Sequence, residues 1–252
     1  MPHNDSPLAA ARQLILVTAP AWASTTAQLQ RFERRSLDSD WQRIGDSIQV
    51  SLGKSGLAWG IGLHGEISAE WPEKREGDGC APAGAFKIES LFGYADLKSK
   101  FALAAKLPYQ VATPELKAID DPASLYYNQI VDLSTVLEPD WNSCEDMLRG
   151  DQRYALGAVV AHNSEPPVPG AGSCIFLHVW ECEGAPTAGC TAMALADMSE
   201  IATWLDGRAS PVLVQLPLVE YESLREAWGL PAFVSDARRL TTAAEPDGMP
   251  RR

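Results

Sequence analysis

The sequence predicts a single domain of the α+β class that is mainly β. Many short apolar stretches are separated by turns rich in glycine and proline, which is typical of a chain that folds into strands. Only a few segments have the apolar spacing of a helix. No internal repeat and no linker divides the 252 residues, of which 46% are hydrophobic. We therefore expect one folded domain over residues 13–234, with a loose leader at 1–12 and a disordered tail at 235–252.

Strand candidates occur throughout the chain. The first, 13–18, also resembles the apolar part of a secretory signal. That part is only about half as long as a signal needs, so we interpret it as a strand. The other candidates alternate apolar and polar residues or form short apolar runs between turn residues: 44–52, 57–63, 86–88, 126–131, 154–161, 175–180 and 211–216.

Four segments have helical features, and one of them, 134–148, can be helical only after Pro139. Residues 24–37 begin with hydroxyl side chains that are typical helix caps, and their apolar residues continue on roughly one helical face. Residues 195–205 carry apolar side chains at helical spacing before Gly207, and residues 221–228 form a shorter segment before Gly229. We expect these helices to lie at the periphery of the domain.

The composition argues against two classes of partner. The net charge is -12 and the pI is near 4.8, so the phosphate backbone of a nucleic acid would be repelled. No apolar run is long enough to span a bilayer, so we expect no transmembrane segment.

The five cysteines are an odd number, so at least one thiol lies outside any intramolecular disulfide.

The stretch 173–193 carries the clearest chemical signal. An apolar run ends at His178, a loop follows, and Cys190 stands directly after Gly189. A cysteine nucleophile reacts as a thiolate, so it needs a base or a cation beside it and access to the substrate. The sequence therefore predicts a reactive pair, provided that the fold brings Cys190 beside His178 and leaves the sulfur open to a groove.

Two other interpretations of these residues stay open. Cys190 can be an apolar filler, since free cysteine is often interior, and His178 can be a hydrogen-bonded core histidine. A structural zinc site is the other alternative, because a Cys-x3-His-x3-Cys-x7-Cys series has suitable ligand types but lacks the paired Cys-x2-Cys spacing. That series consists of Cys174, His178, Cys182 and Cys190. We expect no metal and no cofactor.

A second distinctive stretch, 75–86, is dense in glycine and proline. Such density marks a tight loop, here one that enters a strand at about residue 86. On physical grounds alone the loop is a hairpin connection. Its spacing is Gly-Asp-Gly-x-x-Pro-x-Gly-x-Phe, formed by Gly77, Asp78, Gly79, Pro82, Gly84 and Phe86.

The two motifs together resemble the YkuD-type L,D-transpeptidase catalytic domain, a bacterial peptidoglycan enzyme family, from about 48 to 216. The resemblance implies a β-sandwich-like fold and a cysteine-dependent acyltransferase. It implies cleavage of a stem peptide after an L-centred diamino acid residue, release of D-alanine, and passage of the acyl group from a cysteine thioester to an amine. It also implies peptidoglycan stem peptides as the partner and a periplasmic or cell-envelope location.

The resemblance also assigns roles to residues. His178 would be the base for Cys190, the Val179 carbonyl would orient its ring, and the amides of Gly189 and Cys190 would stabilise the oxyanion. Five residues are expected to line the substrate site, although the first two can equally cap a strand: His162, Asn163, Trp180, Ala188 and Thr191.

Three departures from the family pattern concern substrate recognition. Most members have a histidine where this chain has Ala188, and a threonine in the upstream loop where it has Ala81. They usually carry an Arg or Asn shortly after the cysteine, where this chain continues Thr191-Ala192-Met193. Two alternative functions stay open: an L,D-carboxypeptidase or amidase that uses the same cysteine and histidine, and a non-enzymatic, zinc-bearing cell-wall-binding module.

Overall fold

The computed structural model of the protein describes residues 6–65 and 72–233. The strands in these residues are β1 (Gln13–Ala19), β2 (Thr26–Glu33), β3 (Gln42–Ser51), β4 (Leu57–Trp59), β5 (Ala81–Gly93), β6 (Tyr109–Val111), β7 (Leu116–Ala118), β8 (Ile130–Asp132), β9 (Glu145–Asp146), β10 (Leu156–Val160), β11 (Phe176–Val179), β12 (Thr191–Met193) and β13 (Val212–Pro217). The helices are α1 (Lys100–Ala104), α2 (Leu195–Trp204) and α3 (Leu218–Trp228), with short 3₁₀ turns at Leu133–Thr135 and Gly207–Ala209. The mainly β prediction is confirmed.

The ten-stranded main sheet closes on itself. Its order is β10-β11-β12-β3-β2-β1-β13-β5, and β5 pairs back to β10, while β4 and β6 extend it beside β5. Closure follows from the length of β5, which pairs with β13 over residues 84–87 and with β10 over residues 88–93. The sheet is therefore barrel-like, which corrects the sandwich-like architecture that the resemblance implied.

The first strand lies in the hydrophobic core. All seven residues of β1 are buried, between antiparallel β2 and parallel β13. This confirms the strand predicted at 13–18. The core continues into α2, which buries Met198, Ile201 and Ala202, and into α3, which buries Tyr221 and Trp228.

The helix predicted at 24–37 is wrong, because this segment forms β2. Its residues pair with β1 on one side and with β3 on the other, so the strand ladder overrides the local capping signals. The two later helices are confirmed, and Gly229 ends α3 in the left-handed conformation, with φ of 67°. None of the helices within 6–65 and 72–233 has the length and apolar character needed to cross a bilayer.

The described part of the leader is packed, which corrects the expectation of a loose segment. Leu8 is 2% exposed and Ala11 is 1% exposed, because both side chains belong to the core cluster. The Ser6 hydroxyl donates to the Trp228 carbonyl at 2.7 Å. The tail predicted at 235–252 lies outside the described residues, as do residues 1–5.

A second, three-stranded sheet covers one outer face of the barrel. Its order is β8-β7-β9, and Leu116 and Ala118 of β7 join Phe176 of β11 in a separate hydrophobic cluster. Leu177 belongs instead to the barrel core, because successive side chains of a strand point to opposite faces. We call residues 112–154, which contain this small sheet, the covering segment.

Candidate active site

Strands β11 and β12 carry His178 and Cys190 into the same region. The strands are parallel and place Leu177 beside Thr191 and His178 beside Ala192. Cys190 immediately precedes β12, so it lies beside Phe176, whose amide donates to the Cys190 Sγ at 3.3 Å. Neighbouring residues in a parallel pair share a face, so Cys190 and His178 both project towards the covering segment.

His178 has the tautomer that a base requires. Its Nδ1 lies 2.7 Å from the Val179 carbonyl oxygen. A carbonyl only accepts, so Nδ1 carries the hydrogen and Nε2 keeps a lone pair. Burial lowers the pKa of His178 to about 4, with the Val179 carbonyl opposing the shift and the positive charges of Arg149 and Arg153 adding to it. The imidazole is therefore neutral at pH 7.

The Cys190 thiol is enclosed, which differs from the expected sulfur open to a groove. Cys190 is 8% exposed, and its Sγ donates to the Cys174 carbonyl at 3.5 Å. Burial raises the pKa of the Cys190 thiol to about 12, the charge of Glu145 adds to this, and the Phe176 amide and the charge of Lys74 oppose it. In this conformation the sulfur is a neutral thiol.

Tyr154 and Glu145 lie in the covering segment above the pair. The Tyr154 ring centre is 5.4 Å from that of His178 and 5.7 Å from that of Phe176. Its hydroxyl donates to Glu145 Oε2, and Arg149 stands over its ring at 5.1 Å. Burial raises the pKa of Glu145, and the hydrogen bond from Tyr154 partly opposes this. The sequence reasoning missed both residues, because they are distant in the chain from the two motifs.

Thr187 shapes the turn that carries the cysteine. Its hydroxyl accepts from the Gly189 amide at 3.1 Å and donates to the Cys190 carbonyl at 2.6 Å. The Gly189 amide, expected to face the oxyanion, is therefore already used by Thr187. The Cys190 amide makes no hydrogen bond among the residues that the structure describes. A threonine three residues before the cysteine was the available sequence signal, because such hydroxyls often bond nearby backbone.

Gly189 lies in a tightly packed position. A Cβ at this position would lie 3.0 Å from the carbonyl oxygen of Cys80, in the 75–86 loop. Asp78 organises that loop, accepting from the Cys80 amide at 2.8 Å and from Lys74 Nζ at 2.7 Å. The two sequence motifs therefore meet, and Lys74, which the sequence reasoning did not select, brings a buried positive charge to the site.

His162 and Asn163 organise a loop instead of facing a substrate. Both are 1% exposed. His162 Nδ1 accepts from the Ile61 amide at 3.2 Å, and Nε2 contacts the Ala171 carbonyl at 3.0 Å. The Asn163 side chain bonds the backbone of Val168 on both its oxygen and its nitrogen. These bonds satisfy the polar atoms of both side chains and agree with the strand-end interpretation, while His162 also lines a cavity with Cys174 and Phe176.

Of the other expected substrate residues, one is buried in the core and two are accessible from solvent. Thr191 is 1% exposed and donates to Gln215 at 2.7 Å, because it alternates with Cys190 and faces the barrel interior. It is therefore not available to a substrate. Trp180 is partly exposed and Ala188 is exposed, so both are accessible from solvent.

The proposed zinc series is not assembled. All five cysteines are free, and Cys182 is exposed, whereas Cys174 and Cys190 are buried. Within 6–65 and 72–233, no group of three or more His, Cys, Asp or Glu side chains could hold a metal ion. The geometry therefore favours a buried thiol beside a neutral imidazole over a metal centre.

A comparison with family models gives one match. The model described as YkuD, L,D-transpeptidase catalytic domain, matches residues 22–214, which contain both motifs and most of the barrel. Neither the curated proteins nor the solved structures include a match to the chain.

Proposed function

The chain belongs to the YkuD family of L,D-transpeptidase catalytic domains, and on that premise we propose that it is a peptidoglycan L,D-transpeptidase with Cys190 as its nucleophile. One observation carries the proposal. His178 on β11 and Cys190, just before the parallel strand β12, project to the same face, and Val179 holds the tautomer of His178. The family acts on the cell wall, so the site of action is extracytoplasmic, in the periplasm or the cell envelope.

The reaction begins with proton transfer from Cys190 to His178 Nε2. The thiolate attacks the carbonyl carbon after the L-centre of the donor stem, and the Cys190 amide donates to the resulting oxyanion. His178 returns the proton to the departing amine of D-alanine, which leaves a thioester. The acceptor amine then attacks this thioester, gives its proton to His178, and releases the thiol. General-base help of this kind contributes about a hundred- to ten-thousand-fold.

The covering segment must open before this reaction. The pKa of the Cys190 thiol is about 12 and that of His178 is about 4. Proton transfer across such a gap is unfavourable, so the thiolate is scarce in the enclosed pair. Displacement of Tyr154 and Glu145 would remove part of the desolvation and a nearby negative charge, and both changes lower the pKa of the thiol.

Two arginines of the covering segment are candidates for holding the stem carboxylate. The chain lacks the Arg or Asn that usually follows the cysteine in the family. Arg149 and Arg153 lie close enough to His178 to lower its pKa, and both are partly exposed around Asp151. A guanidinium matches a carboxylate in geometry as well as charge. We assign carboxylate binding to these two residues.

Acylation by a carbapenem, followed by intact mass and peptide mapping, tests the proposal. We expect one adduct on Cys190 and none in the Cys190→Ala variant. Cys182→Ala is the matched control, because Cys182 is an exposed free thiol. An adduct that persists in Cys190→Ala would show that another residue is the nucleophile.

The same site acts as an L,D-carboxypeptidase or amidase when water replaces the acceptor amine. Muropeptide products from purified protein separate the two functions. A cross-linked dimer supports the transferase, and a shortened monomer supports the hydrolase.

A further inference from the structure

A basic cavity lies at the end of the barrel where β1 begins and β2 ends. Its volume is about 680 Å³. Two acidic residues, Glu33 and Asp206, contribute to its wall. The cationic residues around it are more numerous: Arg12, Arg34, Arg35, Lys106 and Arg208. This excess of positive charge is local, because the whole chain has a net charge of -12.

Within 6–65 and 72–233, most of these cations form no direct ion pair with a carboxylate. Arg208 pairs with Asp206 at 2.7 Å. The other four cationic residues form no ion pair within 6–65 and 72–233. Arg12 donates to the Arg208 carbonyl at 2.6 Å, which is a neutral acceptor. The cavity therefore carries positive charge that the described protein does not neutralise.

Arg34 is the most constrained of these cations. It donates to the carbonyls of Ala11, Leu37 and Leu8 at 2.7, 2.9 and 2.6 Å, and it stands over the Trp41 ring at 4.5 Å. Burial lowers the pKa of its guanidinium, and the charge of Asp38 partly opposes this. Asp38 offsets this only in part, so a bound anion would further stabilise the partly desolvated guanidinium.

The acidic side chains of the wall have other partners. Glu33 accepts from the Trp204 indole and from the Gln13 amide. Asp206 accepts from the Arg208 side chain and from the Arg208 backbone amide at 3.0 Å. Asp206 also interacts through its charge with Lys106, so the two carboxylates offset only part of the positive charge of the five cationic residues.

The cavity is remote from the nucleophile. Strand β3 runs from Gln42, which lines the cavity, to Ser51, which pairs with Ala192 beside the cysteine. Nine steps of about 3.3 Å place the two ends about 30 Å apart. A ligand in the cavity cannot touch Cys190, so this site is separate from the one under the covering segment.

We propose that this cavity binds a phosphate group of an anionic ligand, with Arg12 and Arg34 as fixed donors and Arg35 and Lys106 as mobile ones. A multiply charged phosphate matches several cations better than a single carboxylate does, and guanidinium groups bind its oxygens in pairs. The acidic remainder of the surface repels anions, so binding is confined to the cavity.

Calorimetric titration of the full chain with pyrophosphate tests the proposal. We expect saturable binding that weakens with added salt, and at least about tenfold weaker binding in the Arg35→Gln/Lys106→Gln double variant. Both residues are exposed, so the variant should fold. Lys98→Gln is the control, because Lys98 is an exposed cation that does not line the cavity. No binding by any probe, or equal loss in the control, would overturn the proposal.

The source of the phosphate is decided by a second titration. Vesicles of phosphatidylglycerol are compared with vesicles of phosphatidylcholine in a sedimentation assay. Binding only to phosphatidylglycerol vesicles, lost in the double variant, identifies a lipid headgroup. Binding of pyrophosphate alone identifies a soluble phosphate ester. Carbapenem acylation of Cys190 should be unchanged in the double variant, so this proposal can fail without affecting the proposed function.

Discussion

Burial determines the protonation of the residues at the candidate site. It lowers the pKa of His178 to about 4 and raises that of Cys190 to about 12, so both are neutral at pH 7. His162, which holds a neighbouring loop, also has a pKa lowered to about 4, mainly by burial. A buried neutral histidine opposes protonation, so these side chains link folding to pH.

The two histidines should destabilise the fold in acid. An unfolded histidine has a pKa near 6.5, so below that value the unfolded chain binds more protons than the folded one. The contribution of these histidines to the free energy of unfolding is therefore fully kept above about pH 6.5, and it is lost as the pH falls towards 4. Each histidine should lower the free energy of unfolding by about 2 kcal/mol between pH 7 and pH 5.

Urea denaturation at several pH values measures this effect. His178→Gln and His162→Gln should each remove a similar share of the pH dependence, whatever their effect at pH 7. A slope between pH 7 and pH 5 that neither substitution changes would contradict the prediction.

Thr187 should affect the rate of acylation through the backbone around the cysteine. Thr187→Val removes the hydroxyl that bonds the Gly189 amide and the Cys190 carbonyl. Loss of about 1 to 2 kcal/mol of hydrogen bonding should slow carbapenem acylation about tenfold. Thr187→Ser keeps the hydroxyl and should restore most of the rate. Equal rates for the valine and serine variants would exclude this positioning role.

The covering segment is held to the barrel by a few polar contacts. Tyr154 ends the covering segment two residues before β10, and its hydroxyl bonds Glu145 of β9, so this bond holds the small sheet beside the point where the chain enters the barrel. Asn128 donates to the carbonyls of His162 and Asn163 at 2.8 and 2.7 Å, which ties the other side of the segment to the 162–174 loop. Opening of the segment therefore breaks these bonds and also exposes the hydrophobic cluster that Leu116, Ala118 and Met147 form with Phe176.

Tyr154→Phe should expose the nucleophile more often. Removal of one bond worth about 1 kcal/mol should increase the alkylation rate of Cys190 by iodoacetamide about fivefold. The exposed Cys182 provides an internal reference for reagent reactivity. Tyr109→Phe is the matched control, because its hydroxyl bonds the Ala95 carbonyl outside the covering segment. Faster labelling in both variants would indicate general loosening.

At the scale of the whole molecule, the two ends of the described chain pack into the same hydrophobic core. Strand β1 pairs with β13 in parallel, and Ser6 bonds Trp228 at the end of α3. The family match covers 22–214, but the packed residues begin before it and continue after it. We therefore propose that the folding unit starts within the segment predicted as a leader and includes α3.

Substitution of Leu8 tests where the folding unit begins. Its side chain is 2% exposed within the core cluster, so Leu8→Ala should lower the free energy of unfolding by about 2 to 4 kcal/mol. Leu37→Ala is the control, because Leu37 is 44% exposed, and it should cost less than about 1 kcal/mol. Equal, small effects measured by chemical denaturation would place the boundary after Leu8.

Local patterns predicted some elements and failed for others. The apolar spacing of residues 195–205 indicated a helix, and α2 confirms it with Met198, Ile201 and Ala202 buried. The segment 221–228 before Gly229 is likewise confirmed as α3. The segment 24–37 also carried helical signals but became β2, since pairing with two strands outweighed its capping residues. Strand pairing joins distant residues, and a local pattern does not contain that information.

The sequence by itself determined the class of the fold, the family, and the two motifs that carry the chemistry, because these depend on residue types and short spacings. Only the tertiary structure decided the closure of the sheet, the covering segment, and the burial of Thr191, His162 and Cys190. These features come from contacts between residues far apart in the chain. Solvent exclusion at such contacts sets the pKa values, so the reactivity of the site is a property of the packed molecule.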